Sequence, residues 1–278
     1  MPDRILGRVL GRAAAMLLIV LWTGFAAGPL LWVATISLRS TSEFMRAPYA
    51  LPEAWRFDKY VTAWTTSGYD IYFANSLMVV LSAVAIVTVV GAMAAHCLAR
   101  YRFPGNRLVY FLIFSTIVLP PQITIIALFQ TMANIGLYDT RAGLVLVYAA
   151  VQLPLTVYIL ESFFARIPAD LFDAARIDGY SEWAAFWKVA FPVAMPAIAT
   201  VVILNTILLW NEFLYAVVLI ADDSRRTLPL GIQKFLGDQA EDYGMVATGL
   251  MIAIIPVVVI YAFFSEKLIQ GMTAGAVK

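Results

Sequence analysis

A single cysteine, Cys97, and a single histidine, His96, occur in 278 residues. One thiol cannot form an internal disulfide framework, and one imidazole leaves little from which to build a zinc site. Charge is equally scarce, at 13% of the chain against roughly 25% in soluble domains. Nineteen basic and eighteen acidic residues leave a net +1, so no basic field exists to hold nucleic acid. No Gly-x-x-x-x-Gly-Lys-Ser/Thr run occurs, so the chain has no phosphate cradle of its own. The apolar set, by contrast, reaches 62%, where soluble domains hold about 45–50%. That excess excludes both a water-soluble fold of this size and intrinsic disorder. The class that remains is an all-α polytopic membrane protein.

A helix crosses the hydrocarbon layer with about 20 largely apolar residues. Six stretches qualify: Ala13–Leu38, Phe73–Leu98, Leu108–Phe129, Ala142–Leu160, Pro196–Ile220 and Met245–Phe264. The first follows Arg4, Arg8 and Arg12, and its apolar run outlasts the roughly 7–15 residues of a signal-peptide core, so it is expected to remain as an anchor. With the N-terminus cytoplasmic, that side carries eleven Lys and Arg residues and the other side eight. The short loop Ala99–Arg107 holds three arginines and no acid, which places both termini inside. Outside, Tyr60, Trp64 and Tyr72 suit an interfacial aromatic belt, and Ala221–Tyr243 carries Asp222, Asp223, Asp238, Glu241 and Asp242. No internal repeat is evident, so residues 1–278 read as one membrane domain.

Prolines punctuate these spans. Pro120 and Pro121 adjoin in the third, Pro154 is expected to interrupt the fourth, and Pro256 lies in the sixth. In lipid the freed carbonyls need protein or water partners, so such breaks serve either packing or a translocation path. Polar residues concentrate in the same region: Gln122, Gln152, Asn205, Asn211 and Glu212. A carboxylate at membrane depth costs a few kcal/mol or more unless paired or hydrated, which makes Glu212 a candidate path residue. Trp210 and Tyr215 could stack on the C–H faces of a sugar, or simply pack. His96 and Cys97 read as a packing pair closing the second span.

The connection Ala165–Pro192 is polar enough to leave the membrane. Pro168 and Asp170 suit a helix start, and Leu171, Ala174, Ala175 and Asp178 follow at one-face spacing. Gly179 supplies a stop. Ser181 can cap a second helix over Glu182–Phe191, with Pro192 as terminator. Leu171, Phe172 and Ala175 form an apolar face expected to dock on another protein. A connector lying on lipid is disfavoured by Asp170, Asp173, Asp178 and Glu182.

Asp173-Ala174-Ala175, then Gly179, then Val189-Ala190-Phe191-Pro192 resembles the EAA loop of permease subunits of bacterial ABC importers. Asp stands for the usual Glu, Val for Ile and Phe for Leu, each keeping charge or apolarity at intact spacing. Asn75-Ser76-Leu77, Ala99-Arg100, Phe103-Pro104-Gly105, Gly136-Leu137-Tyr138-Asp139-Thr140 and Ile177-Asp178-Gly179 resemble the carbohydrate branch of that family. So do Trp210-Asn211 with Phe213, Thr227-Leu228-Pro229-Leu230, and the tail Thr273-Ala274-Gly275-Ala276-Val277-Lys278. The resemblance implies a type I ABC importer fold with six spans and a cytoplasmic coupling loop at 165–192. It implies no catalytic or metal residues in this chain, ATP and Mg bound by a cytoplasmic ATPase dimer, a second permease subunit, and an extracytoplasmic solute-binding protein that delivers sugar. ATPase coupling would fall to Leu171, Phe172, Asp173, Ala174, Ala175, Asp178 and Gly179. A stand-alone secondary transporter or channel is the rival; it calls for repeats and several intramembrane carboxylates, where Glu212 is nearly alone.

Overall fold

The computed structural model describes residues 2–236 and 242–276, with side chains for 11–120, 122–235 and 242–264. Asp238, Glu241, Val277 and Lys278 lie outside the described residues, as do the side chains of Arg4, Arg8, Lys267 and Thr273–Ala276. The described chain is helical: α1 Pro2–Ser37, α2 Thr41–Arg46, α3 Asp58–Thr65, α4 Tyr69–Arg100, α5 Asn106–Ser115, α6 Pro121–Asn134 and α7 Arg141–Phe164. After these come α8 Ala169–Ile177, α9 Glu182–Ala185, a π turn over Phe186–Ala190, α10 Phe191–Val193, α11 Met195–Trp210, α12 Leu214–Leu219, α13 Leu228–Gln233 and α14 Tyr243–Ala276. Among the described residues, four helices are long and apolar enough to cross a membrane, and up to six spans result if each bent helix pair counts as one.

The spans differ from their sequence reading at three places. Leu108–Phe129 is not one helix: α5 ends in a 3₁₀ turn, and the chain turns through 108° into α6. Leu119 and Pro120 are extended because a residue before proline is pushed out of the helical region, and Pro121 then starts α6 at its first turn. Pro154 does not interrupt the fourth span, since α7 runs unbroken through it, as α14 does through Pro256. The fifth span, expected over Pro196–Ile220, stops at Trp210 and resumes at Leu214. Pro192 does not end the second loop helix either; α10 carries it on to Val193, and α11 leaves at 75°.

The chain packs as two compact units, Met1–Tyr69 with Ile232–Ile254 and Asp70–Gly231 with Ile255–Lys278. In the first, the start of α14 is tied to the segment after α1. Thr248 Oγ1 donates to Ser37 O at 3.1 Å, Tyr69 Oη to Met245 O at 3.1 Å, and Thr41 Oγ1 to Asp242 at 2.9 Å. Lys59 donates to Arg39 O at 2.6 Å and pairs with Asp242 at 3.6 Å. The apolar window of α1 has no buried residue within this chain.

In the second unit, α4, α7 and α11 pack side by side. One cluster runs from Ala92, Ala95 and Leu98 through Val157, Leu160 and Phe164 to Ala194, Ile198 and Val201. Small residues let these helices approach closely, which is what holds bundles together where lipid removes the hydrophobic drive between helices. Phe172, Ala175, Ala185, Phe186 and Ala190 of the loop extend the same cluster. The loop is therefore seated on the bundle by its own core.

Candidate functional site

Loop 165–192 folds from strong local signals. α8 starts after Pro168 with Asp170 in its first turn, and Gly179 turns the chain at φ +79°. No atom lies within 4 Å of where a Gly179 Cβ would sit, so only the left-handed backbone demands glycine here. Ser181 Oγ accepts from Ala184 N–H at 3.2 Å and caps α9. Tyr101, from the preceding short loop, donates to Glu182 at 2.5 Å, and Arg176 Nη2 donates to the other Glu182 oxygen at 2.9 Å. Arg176 also reaches Asp173 at 3.3 Å. Those hydrogen bonds, Tyr101 first, hold the Glu182 carboxyl below its ordinary range. Burial, reinforced by Glu182, pushes the Tyr101 phenol up to about 12.

The apolar face expected to dock outward is largely turned inward. Phe172 and Ala175 are buried in this chain's own core, and only Leu171 of the three is exposed. They face the spans because α8 must cover its apolar stripe, and the ends of α4 and α7 lie beneath it. The outward apolar set is instead Leu171, Ile177, Tyr180 and Trp183, of which Ile177 is 87% exposed. Asp173, Ala174, Asp178 and Gly179 share that outer surface.

The expected path residues separate into two groups. Asn205 is buried and donates to Thr156 Oγ1 at 2.8 Å; Trp210 is buried edge-on to Phe73, with centroids 5.4 Å apart; Tyr215 is buried. Asn211 and Gln122 are exposed, and Gln152 is half-buried. Asn211 and Glu212 sit not in a helix but in the gap between α11 and α12. The Asn211 side-chain amide donates to Ile207 O at 2.8 Å, a local alternative to continuing the helix. Glu212 accepts from the Tyr215 and Ala216 amides at 2.8 and 3.3 Å, at the positive end of α12, and from Tyr148 Oη at 2.6 Å. Hydrogen bonding thus meets the cost of this carboxylate inside the protein.

A second constellation was not foreseen as a unit, although the sequence supplied its pieces. At the far end of α7 from the loop, Asp139 has φ +54° and accepts from the Ala221 and Asp222 amides at 2.9 and 3.0 Å. Arg225 donates to the Asp139 carboxylate at 3.0 Å and also to its carbonyl. From α4, Asn75 donates to Ser224 O and Arg226 O, both at 2.9 Å, and Ser76 accepts from Leu228 N–H at 2.7 Å. Tyr72 is no interfacial belt residue: it is buried, bonds to Asp223 at 2.9 Å, and lies where a Gly231 Cβ would stand. The Asn75-Ser76, Asp139-Thr140 and Thr227-Leu228 motifs are thus parts of one knot around residues 219–231.

His96 and Cys97 are not a pair. Cys97 is exposed, whereas His96 is 4% exposed and enclosed by rings. Successive helical residues point about 100° apart, so adjacent positions cannot share a face.

Beside this geometry stand four likenesses. Residues 87–272 match the family model of the binding-protein-dependent transport system inner membrane component. The chain is 39% identical over 260 residues to the diacetylchitobiose uptake system permease protein of Streptomyces coelicolor, covering 93% of this chain and 86% of that one. It is 36% identical over 257 residues to the trehalose transport system permease protein of Mycobacterium tuberculosis, with 92% and 93% covered. Its fold matches a chain of a bacterial ABC transporter that imports alginate, with TM-score 0.80, 24% identity, and 93% and 96% covered.

Proposed function

Because this chain belongs to the binding-protein-dependent transport system inner membrane components, we propose that it is one membrane half of an ATP-driven sugar importer. Support for sugar comes from its relatives, whose names give diacetylchitobiose and trehalose uptake. The chain holds no nucleotide cradle, so ATP and Mg belong to a cytoplasmic ATPase dimer. A second permease completes the path, and an extracytoplasmic binding protein loads it. The protein lies in the bacterial inner membrane with both termini cytoplasmic.

The observation that carries this reading is the loop: it exposes Leu171, Ile177, Tyr180 and Trp183 while Phe172 and Ala175 fasten it to the spans. A rigid knob with an apolar tip is what an ATPase subunit can grip and move. Closing of the ATPase dimer would draw two such loops together and bias the membrane halves between two arrangements. Exposed Asn211 and Gln122 front the path, and Gln152, Asn205, Trp210, Tyr215 and Glu212 form the wall that holds them.

The test is uptake into proteoliposomes of labelled diacetylchitobiose, trehalose and related oligosaccharides. Uptake should require the ATPase subunits, ATP and the binding protein together. Uptake by this chain and its sister permease alone, driven by an ion gradient, would overturn the proposal.

A further inference from the structure

Phe172 packs against two residues of α4. The Arg100 guanidinium lies 4.2 Å from the Phe172 ring centroid, and the His96 ring lies 5.7 Å from it at a 32° tilt. His96 and Arg100 are four residues apart, so they project from one face, one turn apart, and both reach the Phe172 ring. His96 in turn meets Phe164 at the end of α7 at 5.4 Å, Phe186 at 5.2 Å and Tyr101 at 5.9 Å. Phe186 opens the π turn, a widened helical turn of a kind frequent at functional sites. One imidazole therefore touches rings from four separate parts of the chain.

Elsewhere α8 leans on the loop's own second helix. His96 Nδ1 is buried with no hydrogen-bond partner among the described residues, so the contacts shown at this position are those of its ring. What the position uses is a flat ring. Close-packed interiors pass displacement on because side chains cannot yield without opening a void.

We infer that His96 and Arg100 form a socket for Phe172 through which movement of the loop is passed into the second span. Both are positioning residues, and the inference rests on the coupling reading above. It differs from that reading in locating the inner end of the lever rather than the outer one.

Cys97, exposed and next to His96, is a native reporter. In the complex assembled with cysteine-free partners, a fluorophore on Cys97 should change its emission when ATP replaces ADP. His96→Ala should shrink that change about fivefold or more, while ATP hydrolysis continues, as a lost coupling of ordinary size would. His96→Phe, which restores a ring of similar volume, should recover most of it. Arg100→Gln keeps the stem but loses the cation over the ring and should roughly halve the response. That variant, at the end of α4, decides the matter if His96→Ala fails to assemble. A full response in assembled His96→Ala, or in Arg100→Gln when His96→Ala does not assemble, would overturn the socket. So would a His96→Phe response no larger than that of alanine. Failure of the coupling reading looks different: a cysteine placed at position 177 would then not reach the ATPase at all, whatever stands at 96.

Discussion

Tyr148 Oη donates a 2.6 Å hydrogen bond to Glu212, and the same carboxylate closes the start of α12. Tyr148 is fully buried, so its hydroxyl has no water to fall back on. Removing it in Tyr148→Phe should cost about 1.5–3 kcal/mol, the usual worth of a hydrogen bond to a charged group. Glu212→Ala should cost more, because it leaves the Tyr148 hydroxyl and two helix-start amides unmet at once. Thermal unfolding midpoints of the purified protein should rank wild type, Tyr148→Phe, then Glu212→Ala. An unchanged midpoint for Tyr148→Phe would remove the bond from the account.

Asn211 and its neighbour should behave differently toward water. In a Cys97→Ser background, Asn211→Cys is expected to react with a water-soluble maleimide in at least one nucleotide state. Absence of labelling at 211 in every state would show that the path lies elsewhere.

Asp139 should matter through its backbone as well as its charge. An alanine at φ +54° would bear the left-handed cost of about 1–2 kcal/mol with no side-chain oxygen to offset it. Asp139→Asn tolerates that conformation and keeps one acceptor, so it should be the milder change. Hydrogen exchange at the Ala221 and Asp222 amides reads this directly: protection should fall in Asp139→Ala and largely persist in Asp139→Asn. Equal protection in all three proteins would contradict the knot.

The Tyr101–Glu182 bond sets a pH window for the loop. The Glu182 carboxyl is held below its ordinary range, so its contribution is present above that range and is lost as pH falls through the lowered value. Exposure and screening keep that contribution small. Tyr101, raised to about 12, contributes below the ordinary phenol range and loses that contribution as pH rises toward 12. Trp183 fluorescence should stay flat near neutrality and change only in acid and strong alkali. In Glu182→Gln the acid change should vanish; if it persists unaltered, another group sets it.

Much of the loop could be read directly from residues. Pro168, Asp170, Gly179 and Ser181 each act within a turn or two, and each behaves in the structure as its local chemistry dictates. Which face of α8 points outward could not be read so, because Phe172 and Ile177 are equally apolar and only the side chains beneath, His96 and Arg100 of α4, decide between them. The same limit explains the spans. Proline chemistry marks the break at Pro120–Pro121, yet α7 runs through Pro154 unbroken. The gap at 211–213 has no proline, and arises from Asn211 and Glu212 bonding to nearby backbone. Asp139 and Arg225 stand 86 positions apart, so no window along the chain could join them.

Gly179→Val should leave the spans inserted and the complex assembled, since no side chain crowds that position. The strained turn would misdirect α8 relative to α9, and sugar-stimulated ATP hydrolysis by the partner should fall sharply. Normal assembly with normal transport would mean that the turn is not part of the lever.

The most direct measurement is cross-linking from position 177, the most exposed apolar side chain of the loop. In the assembled complex, with Cys97→Ser and Ile177→Cys, a short cysteine-to-lysine cross-linker should join this chain to the ATPase subunit. Water-soluble maleimide should reach Ile177→Cys in this chain alone and be blocked once the ATPase is bound. Full maleimide labelling of the assembled complex in every nucleotide state, with no cross-link formed, would contradict the claim that this loop couples transport to ATP.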